Sequence, residues 1–173
     1  HGLVFHGMAA EVNGQGVLCV GPSGRGKSTL ARLLDGAGFR VLSDERPVVR
    51  MRPGTVPGGA AFFQVHGSPW YSAGGFAVPA AAPLRRLLFL EHGAENRVAP
   101  LLPRDALRRL LHVMLVPWQN PLLFDPCLDT IEALLGAVPA AVFSFRPDAA
   151  AADVVRCDLD TASTGARACD GRG

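Results

Sequence analysis

The amino-acid sequence predicts a mixed α/β domain with many antiparallel strand contacts. Short apolar runs typical of strands alternate with amphipathic stretches typical of helices, and Asn13 and Gly14 join two such runs as a tight hairpin turn would. The 173 residues suit one compact domain, and an apolar share of 49% with 18% charged residues excludes a disordered chain. No apolar run reaches the ~18 residues of a membrane span, so we expect no membrane partner.

The first part of the chain predicts four short strands around a glycine-rich loop. The apolar runs of strand length are residues 3–5, 8–12, 17–20 and 41–43. The second and third of these strands are expected to pair antiparallel, because Asn13 and Gly14 both tolerate the positive φ of a tight turn. A helix is expected at residues 27–35, because leucines recur there at the spacing of one helical face.

The rest of the chain predicts further strands and three helices. The expected strands are residues 61–65, 87–90, 98–101 and 141–145. The expected helices are residues 104–115, a segment that ends near residue 136 after a proline-punctuated loop at 117–126, and an alanine-rich segment capped by Asp148. The polar residues 91–96 should turn as a hairpin between strands 87–90 and 98–101. We expect a domain of residues 1–158 followed by a flexible tail at 159–173.

The charge and cysteine content exclude some classes of function. A net charge of +2 is too mild to indicate nucleic-acid binding. The four Cys residues show no CxxC spacing, so zinc binding and a redox pair are weak interpretations. No signal peptide is visible, and we therefore expect the protein in the reducing cytoplasm. The first residue is not Met, which leaves a further upstream segment open.

One segment matches a phosphate-binding pattern. Residues 21–28 follow the spacing G-x-x-x-x-G-K-[ST], with a predicted strand before them and a predicted helix after them. Glycines let successive backbone N–H groups turn toward phosphate oxygens, and the helix N-terminus adds a positive dipole end. Lys27 is the single lysine of the chain, and it stands where the pattern needs a cation beside the terminal phosphates. The candidate nucleotide-binding residues are Gly21, Ser23, Gly24, Arg25, Gly26, Lys27, Ser28 and Thr29.

A hydroxyl and two acidic residues are candidate metal and proton-transfer groups. The Ser28 hydroxyl is a candidate Mg²⁺ ligand within the pattern. Asp44 and Glu45 follow the next predicted strand, whose end should lie near the phosphates if the strands are parallel. Either acid can hold the metal directly or through water, and Asp44 can accept the proton of an attacking hydroxyl. Two plainer interpretations stay open: a glycine-rich turn that opens a helix, and an acidic pair that faces solvent or pairs with Arg46.

Four segments between residues 6 and 46 carry a family resemblance. They are residues 6–7 (His-Gly), 11–14 (Glu-Val-Asn-Gly), 17–29 and 42–46 (Leu-Ser-Asp-Glu-Arg). In identity and spacing they resemble the catalytic core of the HPr kinase/phosphorylase family and its shorter relatives. The resemblance implies a P-loop domain of the phosphoenolpyruvate carboxykinase/HPr kinase type, with a mixed sheet that contains antiparallel strands and is flanked by helices.

The same resemblance implies an activity and roles for individual residues. The family transfers a phosphoryl group from ATP to a serine hydroxyl with the help of Mg²⁺. Asp44 matches the general base of the family, Glu45 matches its acidic neighbour near the metal, and His6 matches a histidine beside the site. Most members carry two Asp residues where this chain has Asp-Glu, so the metal geometry of the longer Glu side chain is left open.

The sequence after residue 46 bears on the class of substrate that the resemblance implies. The acid-Ile-Arg-Gly stretch of the full-length enzymes is not evident. Residues 66–70, His-Gly-Ser-Pro-Trp, instead resemble a stretch of the shorter relatives, some of which phosphorylate the C-terminal serine of lasso-peptide precursors. The resemblance implies a peptide or small-protein substrate, with His66 facing the γ-phosphate or positioning the acceptor. Trp70 and Tyr71 are candidates for lining a peptide groove, with ordinary packing as the alternative.

Three functions therefore stay open at this point. The first is an ATP- and Mg²⁺-dependent kinase that acts on a serine hydroxyl of a peptide or small protein. The second is a nucleotide-binding switch or ATPase module without phosphoryl transfer, and the third is a kinase for a small molecule such as free serine. The phosphate donor can be ATP, another nucleoside triphosphate or pyrophosphate, because the pattern binds phosphates only. A homo-oligomer is also open, because the full-length relatives form hexamers.

Overall fold

The structure, a computed structural model, describes residues 2–54, 60–70 and 74–164. Within these ranges nine strands form one mixed sheet, and four helices flank it. The strands are β1 (Gly2–Val4), β2 (Gly7–Val12), β3 (Gln15–Val20), β4 (Arg40–Ser43), β5 (Val48–Arg52), β6 (Phe62–His66), β7 (Ala81–His92), β8 (Arg97–Pro100) and β9 (Ala140–Phe145). The helices are α1 (Lys27–Gly36), α2 (Pro103–Leu110), α3 (Pro121–Ala137) and α4 (Ala150–Thr164).

The sheet is mixed and curled. Its strands lie in the order β1-β5-β6-β7-β3-β2-β4, and β9 pairs with β7 while β8 pairs with β9. β7 joins the two halves of the sheet, because its first residues pair antiparallel with β6 and its later residues pair parallel with β3 and β9. β5 follows β4 after a short link and pairs with β6. As a result the backbone of Gly67, just after β6, packs against the carbonyl of Leu42 in β4.

Alternate strand residues face two apolar clusters on opposite faces of the sheet. In β3, Leu18 and Val20 belong to one cluster, and Val17 and Cys19 belong to the other. The first cluster is covered by α2 and α3, and the second is covered by α1 and α4. Because both faces are buried, β3 has a continuous apolar sequence rather than an alternating one.

The two local predictions near the N-terminus are confirmed. β2 and β3 form the expected antiparallel hairpin, and Asn13 and Gly14 adopt φ values of 52° and 75° at its turn. The helix expected after the glycine-rich loop is α1, in which Leu30 and Leu34 are buried. Both features depend on turn chemistry and on the periodicity of nearby residues, so a short sequence window contains the necessary information.

The hairpin predicted between strands 87–90 and 98–101 is wrong. β9 lies between β7 and β8, since it pairs parallel with β7 and antiparallel with β8. β9 comes much later in the chain, so the sequence of residues 91–96 does not predict that another strand lies between β7 and β8. β5 is an additional strand that the sequence analysis did not predict, because the exposed Arg50 and Met51 interrupt its apolar alternation.

The helix predicted at residues 104–115 is shorter than expected. α2 ends at Leu110, because the following residues bond to the end of β1 instead of continuing the helix. The His6 N–H donates to the Val113 carbonyl at 2.6 Å, and the Leu115 N–H donates to the Val4 carbonyl at 3.0 Å. This backbone pairing fixes the segment after α2 beside the start of β2.

α3 begins earlier than predicted, inside the loop expected at residues 117–126. The Asn120 side chain accepts a hydrogen bond from the Leu122 N–H at 3.1 Å and so caps the helix. Pro121 occupies the first helical position, where its missing N–H has no helical acceptor in any case. Pro126 lies inside the helix, and the Thr130 hydroxyl donates to its carbonyl at 2.7 Å.

α4 is longer than predicted. It continues to Thr164 and buries Leu159, so the domain boundary expected at residue 158 falls inside a helix. Residues 165–173 of the predicted tail lie outside the described residues. Across the described ranges, no helix is both long and apolar enough to cross a bilayer.

A buried ion pair ties α4 to the central strand β7. The Arg86 guanidinium donates to both oxygens of the Asp158 carboxylate, at 2.7 Å and 2.8 Å. Both residues are buried, at 8% and 3% exposure. Burial, with a smaller contribution from the Asp158 charge, raises the pKa of the neighbouring Cys19 thiol and keeps it an uncharged core residue.

We expect Asp158→Asn to lower the free energy of unfolding by about 3–5 kcal/mol, because it leaves the Arg86 charge buried without its carboxylate. The double variant Arg86→Met/Asp158→Leu should lose much less, because it removes both charges. Urea unfolding measures each value, with Asp153→Asn on the exposed side of the same helix as control. If Asp158→Asn is no less stable than Asp153→Asn, the structural role of the ion pair is contradicted.

Candidate functional site

The carboxyl ends of four strands meet at one edge of the sheet. β7 and β9 run in the direction of β3, and so does β4, because β3 and β4 both pair antiparallel with β2. The glycine loop after β3, residues 44–46 after β4 and the end of β7 therefore lie along the same edge. His6, which precedes β2, joins them there. Ligands of open α/β sheets bind at such an edge.

The glycine loop turns directly into the N-terminus of α1. Gly24 and Gly26 adopt φ values of 81° and 85°, a region that strains any residue with a side chain. The first hydrogen bond of α1 runs from the Leu30 N–H to the Gly26 carbonyl at 2.8 Å, so the N–H groups of residues 27–29 precede it. The helix has no side-chain cap and no acidic residue in its first turn. These N–H groups are therefore suited to an anion.

Lys27 is buried at the base of this loop, with 7% of its surface exposed. Its ammonium donates to the Gly21 carbonyl at 2.8 Å and to the Pro22 carbonyl at 3.0 Å. No carboxylate in the described part of the chain forms an ion pair with it. Burial lowers the pKa of the ammonium, and the charge of Glu45 opposes that shift. A buried cation held by neutral carbonyls attracts a polyanion strongly.

Two residues that the sequence analysis did not single out support the loop. The ring of Phe145, at the end of β9, packs so closely on Gly26 that a Cβ there would overlap it. The Nε2–H of His92, at the end of β7, donates to the Gly24 carbonyl at 3.1 Å. Both residues end strands that run parallel to β3, and this position is the signal that could have identified them.

Asp44 and Glu45 leave β4 with different surroundings. Asp44 is 1% exposed, and the backbone of Gly74 packs against its carboxylate. Glu45 is half-buried, and its Oε1 lies 3.5 Å from the Nδ1 of His6. The charge of Glu45 acts on the pKa values of both Lys27 and His6. Glu45 is therefore an acid in electrostatic contact with the loop lysine.

The pKa of His6 depends on the charges of the site. Burial lowers the pKa of its imidazole, and the positive charge of Lys27 lowers it further, while the Glu45 carboxylate acts in the opposite direction. A pKa below the ordinary value of 6.5 leaves the ring neutral at pH 7. The charge of Lys27 acts on this ring because His6 lies near the glycine loop.

His66 lies in a different environment from His6. It ends β6 opposite Val48 of β5. Burial lowers the pKa of its imidazole, and the charges of Arg52 and Arg50 on β5 lower it further. The structure thus groups His66 with the arginines of β5, and its expected contact with the γ-phosphate or the acceptor stays a prediction.

The other predicted residues differ in exposure. Gly21 is buried and Ser28 is half-buried, whereas the exposed members of the loop are Ser23, Gly24, Arg25 and Thr29. The Trp70 side chain is 51% exposed, and Tyr71 lies outside the described residues.

The donor groups at this edge fit Mg²⁺ bound together with phosphates. The Ser28 hydroxyl and the Glu45 carboxylate both belong to segments that meet there. Among residues 2–54, 60–70 and 74–164 no group of three or more His, Cys, Asp or Glu side chains could hold a metal ion by itself. Mg²⁺ commonly takes one or two protein carboxylates and completes its shell with phosphate oxygens and water.

Comparison with known proteins gives a structural likeness and no sequence match. No protein-family model matches the chain, and no curated protein matches it. Among solved structures it is similar to the Hpr(Ser) kinase/phosphatase from Coxiella burnetii, with a TM-score of 0.47 and 13% sequence identity over 94% of this chain and 95% of that chain.

We expect Lys27→Met to raise the pKa of His6, because the substitution removes a positive charge that lowers it. A pH titration of the histidine ring resonances by NMR measures this pKa, with His6→Gln used to assign the signal. Arg32→Met removes an exposed cation elsewhere on α1 and should leave the pKa unchanged. An unchanged or lower His6 pKa in Lys27→Met would show that the two residues are not electrostatically coupled.

Proposed function

We propose that this protein is an ATP- and Mg²⁺-dependent kinase of the HPr-kinase-like type, which transfers a phosphoryl group to a serine hydroxyl of a peptide or small protein. The observation that carries the proposal is Lys27, a buried cation held by two loop carbonyls beside a helix N-terminus without acidic residues. With the sequence pattern of residues 21–28, this arrangement supports binding of a triphosphate. Acidic side chains at the same edge support transfer in addition to binding.

Each role in the proposed reaction belongs to a named group. The backbone N–H groups within residues 21–28, apart from Pro22, and the Lys27 ammonium would hold the β- and γ-phosphates. Ser28 and Glu45 would hold Mg²⁺, with Asp44 as a further ligand candidate. A nucleoside triphosphate supplies the phosphoryl group, and Mg²⁺ neutralises charge on its oxygens. The burial of Lys27 strengthens its interaction with phosphate charge, because little water screens it.

Asp44 is the proposed general base, which takes the proton of the acceptor hydroxyl. Asp44 is 1% exposed and the backbone of Gly74 packs against its carboxylate, so this role requires that an acceptor hydroxyl gain access to a buried group. Glu45 competes for the role, since it is half-buried and close to His6. Separate substitution of the two acids distinguishes a base from a metal ligand.

A peptide or small protein is the proposed acceptor class, and a lasso-peptide precursor is the particular example that residues 66–70 suggest. These residues begin next to β4, because Gly67 packs against the Leu42 carbonyl, just before Asp44. The exposed ring of Trp70 gives the segment an aromatic surface of the kind that binds peptides. The proposed setting is the cytoplasm, without nucleic-acid or membrane partners.

We expect Lys27→Ala to abolish ATP turnover and phosphoryl transfer, with ATP affinity lowered by at least about 10²-fold, because the buried cation at the phosphates is lost. Binding of a fluorescent ATP analogue and release of labelled phosphate measure the two effects. Arg32→Ala is the matched control, since it removes an exposed cation from the same helix. Normal ATP binding by Lys27→Ala would rule out the proposed phosphate site.

We expect Asp44→Asn to keep ATP binding but to slow transfer by about 10²–10⁴-fold, because the amide cannot accept the hydroxyl proton. Glu45→Gln should retain transfer at saturating Mg²⁺ while requiring more Mg²⁺ to reach it. Transfer of labelled phosphate to a pool of Ser-containing peptides at varied Mg²⁺ measures both, and Asp35→Asn serves as the exposed control. If Asp44→Asn is fully active and Glu45→Gln is not, Glu45 is the base.

A nucleotide-dependent switch is the alternative that this assay separates. Such a module would bind ATP with the same dependence on Lys27 but would transfer no phosphate to any peptide. Phosphate transfer to free serine, with none to peptides, would support the small-molecule kinase instead.

A further inference from the structure

Two cavities of about 250 Å³ each share part of their lining at the carboxyl edge of the sheet, and the first of them adjoins the glycine loop. The first lies between the loop, at Gly21 and Pro22, and the segment after α2. The second lies between His6 and Arg46 on one side and the same segment on the other. His112 and Val113 line both cavities and thus form a wall that the two spaces share.

This shared wall is held in place by backbone hydrogen bonds. The Val113 carbonyl accepts from the His6 N–H at 2.6 Å, and the Leu115 N–H donates to the Val4 carbonyl at 3.0 Å. On the side of the first cavity, Arg109 forms an ion pair of 2.6 Å with Glu91 at the end of β7. The wall is therefore bonded to the backbone beside β1 and β2, and Arg109 just before it is paired with the end of β7.

The position of the cavities suits an acceptor for the phosphoryl group. The carbonyls of Gly21 and Pro22, which hold the Lys27 ammonium, belong to residues that line the first cavity. A group that occupies this space lies next to the cation of the proposed phosphate site. Phosphoryl transfer requires such an approach, because the attacking oxygen must come within about 3–3.5 Å of the reacting atom.

The charges around the two cavities favour an acidic occupant. Their charged lining consists of Arg25, Arg46, Arg109 and Glu91, together with histidines. Glu91 is paired with Arg109, Arg46 lies 4.0 Å from the Glu45 carboxylate, and no ion pair within the described ranges involves Arg25, so three arginines face two carboxylates. Positive charge thus exceeds negative charge along the wall, and it should attract carboxylates of a bound chain.

His112 adds a directional contact to this wall. Its Nδ1 lies 2.7 Å from the Arg108 carbonyl, which can only accept a hydrogen bond, so the proton of the neutral ring is on Nδ1. The Nε2 atom of the same ring then carries the lone pair. It can accept a hydrogen bond from a backbone N–H or a hydroxyl of a chain lying in the cavities.

We propose that the two cavities together form the acceptor groove of the kinase, that they take an acidic peptide segment next to the acceptor serine, and that Arg46 and His112 determine this specificity. The inference rests on the proposed function for the identity of the acceptor. The positive charge around the cavities accounts for the preference for acidic peptides. The lone pair of His112 would align the bound peptide through a hydrogen bond.

The test compares two labelled nine-residue peptides, each with a central Ser, flanked by Glu and Ala in one and by Lys and Ala in the other. Fluorescence anisotropy with the full chain, without nucleotide, should show at least about tenfold tighter binding of the acidic peptide, and the difference should shrink with added salt. Arg46→Ala and His112→Ala should each weaken binding of the acidic peptide by about 3–10-fold. Arg108→Ala removes an exposed cation that lines neither cavity and is the matched control.

Several outcomes would contradict the proposed acceptor groove. They are equal binding of the two peptides, a loss in Arg108→Ala as large as in Arg46→Ala, and complete competition by a mixed-sequence RNA at equal affinity. Because binding is measured without nucleotide, a failure of phosphoryl transfer counts against the proposed function and leaves the groove supported. Where transfer occurs, His112→Ala should raise KM for the acidic peptide and leave KM for ATP unchanged.

Discussion

The contact between the Lys27 ammonium and the carbonyls of Gly21 and Pro22 is the interaction on which the proposed chemistry depends. It keeps a positive charge under the glycine loop without a carboxylate ion pair from the described residues. Burial weakens the screening of this charge, so it acts on neighbouring groups and on a bound polyanion more strongly than a surface lysine would. Within the protein itself, burial lowers the pKa of His6 and the charge of Lys27 lowers it further.

The curled sheet determines which groups surround this charge. Since β3, β4, β7 and β9 share one direction, the segments after them gather at one edge even though they are far apart in the chain. The same edge receives the segment after α2, because His6 and Val113 bond through their backbones. The glycine loop thus lies between the acidic residues after β4 and the segment after α2.

The two acidic residues after β4 have different surroundings, which give their carboxylates different contacts. Asp44 and Glu45 are adjacent in the chain, yet Asp44 is buried against Gly74 whereas Glu45 contacts His6. A family resemblance assigns the proton transfer to the first, and the electrostatics of the site connect the second to Lys27.

The sequence by itself determined the local features: the turn at Asn13 and Gly14, the loop and helix around Lys27, and the presence of two acids after β4. Each depends on residues close in the chain, through positive φ, helical periodicity or a fixed motif spacing. Only the tertiary structure decided that β9 separates β7 from β8, that Phe145 and His92 support the loop, and that His112 and His6 line one cavity. Strand insertion and curling join segments distant along the chain, and their free energy comes from burial and pairing that no short window of sequence records.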